Sequence, residues 1–141
     1  MTATARTGAD MAMDMLLEGY REETRLYRLL LEVAREQRTT LLAHGTVARF
    51  SDLLDAKEDL VEMIGQIEQH LEYAKRVVLS HGPATQDGCA ALAAILDHVT
   101  QVIAEVQDIE EGNAAMLERL TGVAAPGREL AQNLENSRQI R

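Results

Sequence analysis

The chain has 141 residues, 26% of them charged, and a formal net charge of −9. That length fits one domain. Its acidity argues against a protein built to coat nucleic acid or an anionic membrane, and its single cysteine, Cys89, excludes an internal disulfide or a cysteine metal cluster.

Residues 1–10 are small and polar without periodicity, and are expected to be disordered. Helix 1 follows over about 11–44. Met13, Leu16, Tyr20, Glu23, Tyr27, Leu30, Ala34, Gln37 and Leu41 recur at three- and four-residue spacing. Leu17, Leu26, Leu29, Leu31 and Leu42 widen that stripe into a broad apolar face, so this helix is expected to touch two neighbours. Gly45 is placed to take the left-handed conformation that ends helices, and Thr46 to cap the next one.

Helix 2, about 46–80, carries a narrow seam of Phe50, Leu53, Lys57, Leu60, Ile64, Ile67, Leu71, Ala74 and Val78. Lys57 interrupts it, and a lysine there can lay its stem along the core and lift its amine into water. Gly82-Pro83 stops the helix, since proline lacks the backbone donor and forces its predecessor out of the helical region. Thr85 or Asp87 can cap helix 3, about 88–121. Its seam reads Cys89, Leu92, Leu96, Val99, Ile103, Val106, Glu110, Asn113, Leu117 and Leu120. Glu110 and Asn113 are its polar members, read as register-setting contacts inside the bundle or as the point where the bundle opens to a partner. Gly122 closes the stripe.

Residues 123–141 contain Leu130, Leu134 and Ile140 at weakly amphipathic spacing, a flexible or short-helical tail that would be marginal alone. The fold class is therefore all-α: an elongated antiparallel, coiled-coil-like bundle of three long helices over 11–122, with a weakly helical C-terminal tail. No run reaches the roughly 18 to 20 uninterrupted apolar residues of a membrane span, and the N-terminus lacks a secretory signal's apolar stretch. A cytoplasmic location without membrane insertion is expected.

Charge is unevenly placed. Residues 81–122 hold seven acidic groups against Arg119 alone, while helix 1 sets Arg21, Arg25, Arg28, Arg35 and Arg38 among six acidic residues. A contact between helices 1 and 3 would be electrostatically favourable, although a solvated acidic face on helix 3 is the simpler reading.

Catalytic chemistry finds no foothold. A di-iron bundle needs a glutamate three residues before a histidine, but Leu41, Ile67, Val78 and Ile95 precede His44, His70, His81 and His98 at that spacing. No zinc-protease pattern, phosphate loop or nucleophile elbow is present, and Cys89 has no nearby base in sequence. No enzyme activity, metal or cofactor is expected.

Several segments resemble the FlgN family of flagellar export chaperones. They are Leu16-Leu17-Glu18 with Glu22-Glu23 and Tyr27-x-x-Leu30-Leu31, the turn Ala43-His44-Gly45-Thr46, and Leu53-Leu54-Asp55-Ala56-Lys57-Glu58-Asp59-Leu60 continuing to Ile67-Glu68. Glu110-Glu111-Gly112-Asn113-Ala114-Ala115-Met116-Leu117 adds an asparagine followed by apolar residues late in the last long helix. The resemblance implies a cytoplasmic chaperone that binds hook-filament junction (hook-associated) proteins and delivers them to the type III export apparatus. It also implies client binding by the end of helix 3 and the tail, with Asn113, Met116, Leu117, Leu120, Leu130 and Leu134 as the contacting residues. Some relatives dock on an export-gate component through an aromatic near the C-terminus, whereas no aromatic follows Tyr73 here. The alternative is a structural module that self-associates as a homo-oligomer, its narrow seams satisfied between chains.

Overall fold

The computed structural model describes residues 8–81 and 86–122. Three α-helices, α1 (Gly8–Leu42), α2 (Val47–His81) and α3 (Gln86–Thr121), make up the fold, with no strand among the described residues. Each is about 52 Å long at 1.5 Å per residue. Residues 8–10, expected to be disordered, form the start of α1. Residues 1–7, the Gly82-Pro83 stop, Thr85 and the tail 123–141 with Leu130 and Leu134 lie outside the described residues.

The turn between α1 and α2 ends the first helix differently from expectation. His44, rather than Gly45, adopts the left-handed backbone, with φ of 52°. The Gly45 amide donates to the Thr40 carbonyl at 2.8 Å and the His44 amide to the Leu41 carbonyl at 3.4 Å, the two closing bonds of a Schellman turn. Glycine is required one position later for lack of space, because a Cβ on Gly45 would sit 2.7 Å from Thr40 Cγ2. Thr46 caps α2 as expected, its hydroxyl accepting the Arg49 amide hydrogen at 3.1 Å. Gly122 closes α3 with φ of 70°, its amide donating to the Glu118 carbonyl at 2.7 Å.

Helix α1 is the shared element, packing along both α2 and α3. Among the described residues no Cα of α2 lies within 8 Å of one in α3, and those helices meet through side chains. The broad apolar face of α1 accounts for this, since every member of its stripe from Met13 to Leu41 is buried, as are Leu26 and Leu31. Leu42, expected on that face, is 64% exposed at the turn.

The central core joins Leu26, Tyr27 and Leu30 of α1 to Ile64 of α2 and to Val99, Ile103 and Val106 of α3. A second cluster towards the α1 N-terminus packs Ala12, Leu16 and Tyr20 against Leu71 and Ala74. There Gly19 allows close approach, because a Cβ in its place would lie 2.5 Å from Leu71 Cδ1. Burying each such aliphatic side chain contributes about 1.5–3 kcal/mol. The first half of α3 is less covered, and none of residues 87–98 is buried. By length and composition alone, α3 is also apolar enough to cross a membrane, which qualifies the expectation drawn from uninterrupted runs.

Candidate functional site

Antiparallel order brings the C-terminal end of α1, the start of α2 and the C-terminal end of α3 to one end of the bundle. Two features lie there in succession: a buried polar layer across all three helices, then an apolar cleft open to solvent.

The polar layer is formed by Gln37 and Arg38 of α1, Lys57 of α2, and Glu110 and Asn113 of α3. Lys57 does not lift its amine into water. Its side chain is 3% exposed and its Nζ donates to Glu110 Oε2. The seam position that allows a snorkelling lysine on an open helix is here covered by α3, so the amine takes the carboxylate instead. Burial pushes the Lys57 amine below its ordinary range, and the Glu110 charge and hydrogen bond oppose that only in part.

Asn113 is fully engaged within the bundle. It donates to the Ala34 carbonyl at 2.9 Å and accepts from Arg38 Nε at 2.8 Å, while Arg38 Nη2 reaches the Ile109 carbonyl at 3.2 Å. Of the two readings of Glu110 and Asn113, the internal contact is the one found. Not every buried atom is paired, because Glu110 Oε1 and both amide atoms of Gln37 have no hydrogen-bond partner. Each such atom costs about 1–3 kcal/mol of desolvation.

One helical turn further on, Leu41, Phe50, Leu54, Leu117 and Leu120 line a cleft of about 510 Å³. Thr40, Ser51 and Thr121 are among its polar residues, and its lining contains no carboxylate, lysine or arginine. The apolar surface extends onto the rim, where Val47 is 86% and Leu120 55% exposed. An apolar concavity with few charges suits insertion of aliphatic side chains from another helix rather than chemistry on a bound substrate.

The candidate contact residues thus divide. Leu117 and Leu120 line the cleft, Met116 is half-buried, and Asn113 is turned inward. Leu130 and Leu134 fall outside the described residues. Among the described residues no group of three histidine, cysteine, aspartate or glutamate side chains could hold a metal ion.

Sequence spacing missed Phe50 and Leu54 as cleft residues, because Phe50 reads as an ordinary member of the α2 seam and Leu54 falls outside that seam. It also missed the Lys57 to Glu110 pair, whose partners are separated by 53 residues. The expected attraction between α1 and α3 is modest. Arg35 and Glu105 approach to 3.7 Å with both side chains largely in water, a pair worth little.

Compared with known protein families, with curated proteins and with solved structures, the chain matches none.

Proposed function

We propose that this protein is a helix-binding chaperone that uses the apolar cleft at the turn end of its bundle. The observation that carries the reading is that cleft itself, with exposed Leu120 and Val47 on its rim and no carboxylate, lysine or arginine in its lining. Covering such a surface with a client's amphipathic helix would bury apolar area on both molecules without any bond being made or broken.

More specifically, the likeness to FlgN proteins points to the terminal helices of hook-filament junction subunits as clients and to the type III export apparatus as the destination. Such a chaperone works in the cytoplasm, and its task is protection and release, which suits an adaptable leucine-rich surface of moderate affinity. Self-association is the second reading. It is favoured by the apolar first half of α3, where Ala90, Ala93 and Ala94 are exposed.

The test is co-purification of the tagged full chain from its native cells with mass spectrometry of what is retained, repeated with Val47→Glu/Leu120→Glu and with residues 123–141 deleted. Junction subunits should be recovered with the parent protein and lost with the double variant, while circular dichroism stays helical in both. Recovery of the protein alone, with light scattering showing an oligomer, would replace the chaperone reading with self-association.

A further inference from the structure

The five arginines of α1 meet different fates. Arg25 pairs with Glu22 at 2.5 Å, Arg35 with Glu105, and Arg38 with Asn113. Arg21 and Arg28 have no carboxylate within ion-pair distance among the described residues, although the chain as a whole is strongly acidic. Both line a groove of about 410 Å³ between α1 and α3, whose remaining lining is Thr24, Ala94, Ile95 and His98. No acidic side chain lines it.

The contact across this groove is unusual in its chemistry. Arg28 Nη2 lies 2.5 Å from His98 Nε2. A guanidinium can only donate, so His98 offers its Nε2 lone pair and carries its proton on Nδ1. A side chain that commonly binds carboxylates in a bidentate manner is therefore satisfied here by one neutral nitrogen. Arg21 lies two turns away on the same side of α1, about 10 Å along the axis. The α3 wall of the same groove presents Ala94 and Ile95, which are apolar.

We propose that this groove is a docking site for an acidic polypeptide segment of a partner. The segment places two carboxylates about 10 Å apart, as at positions i and i+7 of a helix, on Arg21 and Arg28, and lays an aliphatic side chain between them on Ala94 and Ile95. Charge complementarity selects the occupant, because two guanidiniums beside an apolar strip match acids beside an aliphatic residue. A nucleic-acid backbone would have nothing to place on that strip and would meet the acidic remainder of the surface. The site is separate from the cleft at the bundle end and does not depend on what binds there.

The probe is a fluorescein-labelled helical peptide with glutamates at i and i+7 and leucine between them, titrated with the full chain in about 50 mM salt and followed by anisotropy. Saturable binding is expected. It should weaken by roughly tenfold or more for the glutamine version of the peptide and for Arg21→Glu/Arg28→Glu. Both arginines are exposed, so circular dichroism should be unchanged in that variant. Ala94→Glu, which gives the guanidiniums an acid of their own chain at another exposed position, should also abolish binding. Absence of saturable binding, equal binding of the glutamine peptide, or undiminished binding by either variant would overturn the proposal. So would preferential binding of a single-stranded oligonucleotide or of anionic vesicles.

Discussion

Two lysines of α2, five turns apart, show how depth decides the character of an ion pair. Lys57 sits in the polar layer near the turn end, and Lys75 sits beside Tyr20 near the other end. Each pairs with a glutamate, Glu110 and Glu68 respectively. Burial opposes the charge of both and is the largest single influence on both. At Lys75, whose side chain remains 19% exposed, the Glu68 and Tyr20 contacts outweigh burial and hold the proton above the ordinary range. At Lys57 burial wins and the proton is held less firmly. The same residue pairing is therefore fully enclosed and opposed by desolvation in one region, and only part-buried with the charge favoured in the other.

The largest effect should come from separating the Lys57 pair. Lys57→Met leaves Glu110 without its cation in the interior and should lower stability by about 3–5 kcal/mol, read from the urea midpoint. Adding Glu110→Leu should return most of that loss or exceed the parent. A single-variant loss under about 1 kcal/mol would mean that water reaches the layer and that the two regions do not differ.

An intermediate effect belongs to the packing beside Tyr20. Gly19→Ala should cost about 1–3 kcal/mol as the new methyl group meets Leu71, offset in part by improved helix propensity. Gly65→Ala, with nothing within 4 Å of the new carbon, should gain about 0.5–1 kcal/mol. Equal changes from the two substitutions in thermal unfolding would mean that Leu71 yields freely and that close approach is not what secures this end.

The smallest effect is alkaline. Burial, with Glu68 adding to it, raises the Tyr20 hydroxyl above its ordinary 10.0, and Lys75 is raised above 10.5. Both groups keep their protons longer in the folded chain than in the unfolded one. Their contribution is whole below about pH 10 and falls as pH rises through the folded values. Lys57 runs the other way, since its folded form releases the proton first and its contribution grows over the window up to 10.5. Tyr20→Phe should therefore flatten the fall in Tm between about pH 9 and pH 11, and an unchanged slope would remove Tyr20 from the account.

The helical architecture was legible because apolar spacing of three and four reports directly which face is covered. The full run from Met13 to Leu41 is buried, and α2 follows with Leu53, Ile64, Leu71 and Ala74. Thr46 as a cap and Gly122 as a stop were legible from local chemistry. What escaped depends on pairs distant in sequence. Lys57 on its own helix fits either a raised amine or a buried one, and only α3 decides. His44 takes the left-handed backbone in place of Gly45 because the close approach to Thr40, invisible in sequence, claims the glycine one position later. The cleft draws its lining from three helices, and of the six residues expected to contact a partner only Leu117 and Leu120 line it. Nothing in a linear reading joins Arg28 to His98, which are 70 positions apart.

The order in which these parts are synthesised gives the polar layer a further meaning. The α1–α2 hairpin closes across a short turn and can form as soon as both helices have left the ribosome, while Glu110 is made 53 residues after Lys57. Until α3 arrives, the Lys57 amine stays hydrated and charged. Its desolvation is therefore incurred in the docking of α3 and not in forming the hairpin. Docking of α3 in the observed register brings a carboxylate to that amine, whereas a shifted α3 would strand a charge in the interior, so the pair favours one register over its alternatives.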